Sequence, residues 1–168
     1  MVYTPYSAAR AVLTTVLPHL HECQINTCVA DVHGVMLCVT VTSPTALCPL
    51  CGAPSSSVPS RSTRTLPDLS IGERCVRLHL QVRRFVCHHG PACGRFSCER
   101  FCAVAAPYRR QTNDLYAALH QLGLTLGGKA GARRASKLQM PTRWITMLRR
   151  IRTRGAPRHA PRARPGRG

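Results

Sequence analysis

Acidic residues are scarce: the 168-residue chain holds six Asp and Glu against 24 Lys and Arg, and its pI is near 10.9. Glu22, Asp31, Asp68, Glu73 and Glu99 are scattered, and only Asp114 lies beyond residue 99. No spacing among them suggests a carboxylate pair for hard cations such as Mg²⁺, so two-metal phosphoryl transfer is not expected. Long apolar runs are missing too. No stretch approaches the roughly 18 residues of a membrane span. The nearest candidate for a secretory leader, AARAVLTTVL (8–17), is short and runs into Pro18-His19. These absences point to a soluble intracellular chain of one ordinary or two small domains. Its ten cysteines then read as free thiols and metal ligands rather than disulfides.

The positive charge is uneven. From Arg109 onward there are fifteen basic residues and one acidic; the first 108 residues hold nine basic and five acidic. Such a surface favours a polyanionic partner, and the C-terminal third is the part that should face it.

The first thirty residues are weakly patterned. VMLCVTVT (35–42) alternates, with Val35, Leu37, Val39 and Val41 on one face of a strand, and Val29–Val32 before His33-Gly34 suggests a hairpin. GAPSSSVPSRSTRT (52–65) reads as exposed loop or irregular edge. RCVRLHLQVRRFVC (74–87) is a half-buried strand: Val76, Leu78, Leu80 and Val82 face one way, Arg77, His79, Gln81 and Arg83 the other.

CPLCG (48–52) can hold zinc, do redox chemistry or form a disulfide. A redox pair should open a helix after a strand, and Ala53-Pro54-Ser55-Ser56-Ser57 is a poor helix start. Zinc needs about four soft or borderline ligands, which short cysteine pairs on two turns supply. Cys48 and Cys51 form one pair; Cys87 and Cys93, in CHHGPAC at the end of the second strand, form a wider one. His88 or His89 could replace one thiolate there. The other six cysteines have no matching spacing and read as buried or incidental thiols.

Beyond Pro107 the period becomes helical. Thr112 is the expected N-cap of a helix beginning at Asn113, with a Leu115, Ala118, Leu119, Leu122 stripe and a stop at Gly123. A second helix fits Lys129–Leu138 and a third Thr142–Ile151. Ala135 stands at the expected helix crossing, and Leu138, Ile145 and Leu148 form the expected mini-core of a helix-turn-helix. GAPRHAPRARPGRG (155–168) has no apolar periodicity and should be disordered.

CPLCG, RTLPDL (64–69), VRLHLQVRRFVC (76–87), PYRRQT (107–112), LGLTLGGKAGARRASKLQMP (122–141) and TMLRRIR (146–152), in this order, resemble the N-terminal region of bacterial insertion-sequence transposases of the ISL-three group, of the DDE class. The resemblance spans about residues 13–152. It implies a structural zinc finger, with Zn²⁺ on Cys48, Cys51, Cys87 and Cys93, followed by a helix-turn-helix for the element's terminal inverted repeats.

Three features depart from the family pattern. The second cysteine loop is wider, Gln139 stands where the turn commonly has glycine, and Thr142–Ile145 replaces a Ser-Arg-Asp type run. The family continues into a catalytic domain, whereas this sequence passes into a basic tail, as a truncation or frameshift would produce.

The expectation is thus an α+β chain with four parts. They are an N-terminal segment (1–28), a zinc-binding β module (29–106), a helix-turn-helix (107–152) and a disordered tail (153–168). It should bind double-stranded DNA in the bacterial cytoplasm and nucleoid, with no catalysis of its own, no membrane and no small-molecule substrate. Arg133, Arg134, Lys137, Arg149, Arg150 and Arg152 should meet phosphates; Arg143 and Trp144 should reach base edges, with Trp144 equally readable as core. Binding or inhibition of an intact transposase is the rival role, and an inactive remnant a third reading.

Overall fold

The computed structural model describes residues 15–32, 34–48, 50–89 and 96–153. It divides into two units, residues 1–117 and 118–168, and the mixed α+β composition matches the sequence expectation.

The first unit is a sheet. After a 3₁₀ turn (Pro18–Leu20) come β1 (Cys23–Asp31), β2 (Gly34–Val41), β3 (Ala46–Leu47), β4 (Pro54–Ser55), β5 (Ser60–Ile71), β6 (Arg74–Val86) and β7 (Phe96–Cys98). The main sheet runs β1-β2-β6-β5, with β7 also paired to β6 and β3–β4 standing apart as a two-stranded ribbon. Only β2–β6 is parallel.

Alternation decides the faces. Leu37, Val39, Leu66, Val76, Leu78 and Leu80 are almost wholly buried, as is Ile25, and they pack with Leu17, Leu20, Phe101 and Val104 into one core. Each such side chain contributes roughly 1.5–3 kcal/mol by leaving water. Gly34 starts β2 at φ 149°, where a Cβ would lie 2.4 Å from the Cys75 carbonyl oxygen, so only glycine allows β2 to run this close to β6.

Two expectations about this unit change. Residues 60–65, read as loop, are the first half of β5, the register partner of β6 from Ser60↔Arg84 to Asp68↔Val76. Ser60–Thr65 carry no apolar alternation because β5 is an edge strand exposed along that half; its ladder bonds are backbone groups that leave no trace in side-chain pattern. Pro67 is tolerated for the same reason. The weakly patterned start also contains most of β1, whose register shifts between Ile25 and Thr27 and so breaks its alternation.

The helical unit follows. α1 spans Asn113–Lys137 and α2 Trp144–Thr153. Thr112 caps α1 as expected: its hydroxyl accepts the Leu115 amide at 3.2 Å. The expected stop at Gly123 is moved to Gly127, which leaves helical geometry at φ 75°, ψ −178°. Gly123 stays helical because close packing needs it; an added Cβ would sit 3.1 Å from Met147 and Ile151. Ala135 is fully buried. The mini-core is corrected: Ile145 is 47% exposed and Met147 fully buried, because the inward face of α2 runs through Met147, Arg150 and Ile151. The expected disordered tail lies outside the described residues beyond Thr153.

Candidate metal centre and basic helices

β3 and β4 hold the first cysteine pair. Ala46 pairs with Ser55 and Leu47 with Pro54, and the turn between them is closed by Gly52 N–H donating to Cys48 C=O (3.0 Å) and Cys48 N–H donating to Ala53 C=O (2.9 Å). Gly52 takes φ 70° to complete it. Residues 55–57 then run beside the end of β6: the Ser55 hydroxyl donates to Val86 C=O and Val86 N–H donates to Ser57 C=O. That contact brings Cys87 to the first pair across 36 residues of chain.

The Sγ atoms of Cys48, Cys51 and Cys87 lie within 4.8 Å of one another, and Cys51 and Cys87 are 3.6 Å apart. Four thiolates at about 2.3 Å around zinc stand about 3.8 Å from each other, so the spacing is that of a tetrahedral edge. Cys48 and Cys87 are buried, with Ala53 packed against them; Cys51 is exposed. Donor type, spacing and burial fit structural zinc and leave no helix N-terminus to activate a redox thiol.

Cys93 lies outside the described residues, and only its sequence offset from the paired strands can be compared with that of Cys51. In the first knuckle Leu47 pairs with Pro54, so Cys48 follows the pair by one and Cys51 precedes it by three. In the second, Val86 pairs with Phe96; Cys87 follows by one and Cys93 precedes by three. In sequence the second cysteine pair is wider than the first by three residues.

Glu99, just after β7, ties that strand to β6. Its carboxylate accepts from Arg83 Nε (3.1 Å to each oxygen), Arg83 Nη2 and the Arg83 amide (3.2 Å), while Arg83 stacks on buried Phe85 at 5.1 Å. That hydrogen bonding raises the Arg83 pKa further against partial burial, so the pair is ionised throughout the working range. His88 and His89 are exposed and fall outside the sulfur cluster. Cys23 is a core thiol: burial, then Glu22 and Glu99, pushes it up to about 11.

A second cluster escaped sequence reasoning. Buried Asp68 accepts from the Thr112 hydroxyl (2.6 Å) and the Leu69 amide (2.8 Å), and its other oxygen is 2.9 Å from His19 Nε2. His19 Nδ1 is 3.0 Å from Asp114 Oδ2. Burial lowers the His19 pKa, but the two carboxylates outweigh it and hold it above the usual 6.5. The cluster joins the 3₁₀ turn, β5 and the first turn of α1. Its signal was present only in fragments, as the Asp of RTLPDL and the Thr of PYRRQT.

Arg133, Arg134, Lys137, Arg143, Arg149 and Arg152 are all exposed. Arg150 differs: it is 9% exposed on the inward face of α2, so it is a packing residue rather than a free phosphate ligand. Trp144 is 44% exposed with Lys129 Nζ 5.8 Å from its ring centroid, which makes it a surface aromatic and not core.

The three-sulfur cluster on strand-flanked turns is the donor set of a structural zinc site. Residues 44–93 match the family model described as the zinc-finger of transposase IS204/IS1001/IS1096/IS1165, so this stretch is similar to the zinc ribbon of those transposases. No curated protein and no solved structure gives a significant match.

Proposed function

We propose that the chain recognises the terminal inverted repeats of an insertion sequence as double-stranded DNA. In this reading the zinc ribbon stabilises the first unit, and the helix-turn-helix expected within residues 107–152 is the DNA reader. The observation that carries it is the similarity of residues 44–93 to a transposase zinc ribbon, in the same chain as an exposed basic helical unit. Cys93 completes the tetrahedral site. α2 enters the major groove, where Arg143 and Trp144 at its start reach base edges; Arg133, Arg134, Lys137, Arg149 and Arg152 neutralise phosphates.

The role is recognition rather than strand transfer, because Asp68, Asp114 and Glu99 are engaged with His19 and Arg83. A mobility shift on duplex terminal repeats tests this reading. If these five exposed cations each displace a counterion, the logarithm of affinity falls with log[salt] at a slope of about −4.5. A slope near zero, or equal affinity for unrelated duplex, rejects it.

Exposed Leu47, Leu50 and Phe96 beside the knuckles favour a second reading, in which the ribbon docks on an intact transposase. Co-purification with transposase in the absence of DNA separates the two.

A further inference from the structure

We infer that the open face of the β1-β2-β6-β5 sheet is a second duplex-DNA surface, a phosphate track separate from the helical unit. The inference rests on the DNA-binding reading above. The main apolar cluster occupies the face of Val76, Leu78 and Leu80; on the other face Phe85, at the far end of β6, is the buried aromatic. On that other face, register sets Cys38 beside His79 and Met36 beside Arg77, then Thr65 beside His79, Thr63 beside Gln81 and Arg61 beside Arg83. Arg61, Thr63, Thr65, Arg77 and Gln81 are exposed on it. These are donors and cations suited to phosphate oxygens.

Charge selects the occupant. Glu99 is drawn to Arg83, and Asp68 and Asp114 to His19, so these three carboxylates are held away from Arg61 and Arg77, and Asp31 is the acid that shares a concavity with Arg77. Arg74 and Arg84 add exposed positive charge at the two ends of β6. The exposed acids near this sheet stand at its ends: Asp31 and Glu73 in or beside the turns at one end, with Asp31 lining the same shallow concavity as Arg77, and Glu22 before β1 at the other.

Arg61 pairs at Arg83 and Arg77 at Pro67, six residues apart, or about 20 Å along the strands. That length matches about six base-pair steps at 3.4 Å. The exposed residues named on this face are Arg, Thr and Gln, and Phe85 at the same parity of β6 is fully buried, so single-strand binding by base stacking has no platform among them. The chemistry is backbone contact with a duplex.

The test uses the full zinc-loaded chain and a 30-base-pair duplex of arbitrary sequence. The double variant Arg61→Gln/Arg77→Gln should lower the salt slope by about 1.8, as loss of two phosphate contacts requires. Arg133→Gln/Arg134→Gln should lower it independently, and the two effects should add. Thr65→Lys should raise the slope by about 0.9, a gain that misfolding cannot imitate.

An unchanged slope in both sheet variants, with the Arg133/Arg134 variant weakened, overturns the inference and leaves the DNA reading intact. No duplex binding by the unaltered chain overturns both. A sheet-variant effect larger on single-stranded DNA or RNA than on duplex overturns the duplex assignment.

Discussion

Replacing Gln139 with glycine should stabilise the helical unit. α1 ends in a Schellman motif: Met140 N–H donates to Ala135 C=O at 2.9 Å and Gln139 N–H donates to Ser136 C=O at 3.1 Å. This geometry puts Gln139 at φ 58°, the left-handed position anticipated from its place in the turn. A residue with a Cβ loses about 1–2 kcal/mol there. Glycine relieves that but raises the entropy of the unfolded chain by an equivalent of about 0.4–1 kcal/mol. Gln139 is exposed, so little packing is lost.

The net gain is about 0.5–1 kcal/mol, a midpoint rise of a few degrees in a unit of this size. Gln139→Val should move the other way by about 1 kcal/mol or more, since β-branching is worst at positive φ. Denaturant unfolding of the zinc-loaded chain, followed by helical circular dichroism, reads both. If glycine is neutral or destabilising while valine is tolerated, the left-handed cap is not formed.

Three further outcomes follow from the sheet unit. Gly34→Ala should cost about 2–3 kcal/mol in global stability, because its Cβ meets backbone at Cys75 rather than a side chain that can move. The His19 cluster should give a pH dependence: its raised pKa makes the stabilisation fully present below about pH 6.5 and lost as pH rises through the higher folded value. The stability gap between the natural chain and His19→Gln should therefore narrow above neutrality; a gap that widens with pH contradicts the ion pair. Glu99→Gln should loosen the β6–β7 hairpin by about 1–3 kcal/mol and weaken zinc retention under chelator challenge, whereas the exposed control Glu73→Gln should not.

What the sequence disclosed follows a physical division. β2 and β6 were legible because each buries one face, so period-2 alternation of Val and Leu is imposed by the core. CPLCG was legible because ligand chemistry fixes residue type and spacing locally. β5 was hidden because an exposed edge is held by backbone bonds, to which Ser, Thr and Arg are indifferent. The His19–Asp68 contact spans 49 residues and depends on tertiary placement, which no local pattern encodes. Gly123 was misread as a stop because a packing glycine and a capping glycine look alike in sequence; only the approach of Met147 and Ile151 distinguishes them.

The zinc site is the centre of the account, and X-ray absorption at the zinc edge of the purified full chain tests it most directly. The prediction is one zinc per chain with four sulfur neighbours at about 2.3 Å and no nitrogen near 2.0 Å. Cys48→Ser and Cys93→Ser should each abolish tight zinc binding and destabilise the sheet unit. A nitrogen neighbour in the natural chain, or a four-sulfur spectrum persisting in Cys93→Ser, would contradict the ligand set of Cys48, Cys51, Cys87 and Cys93.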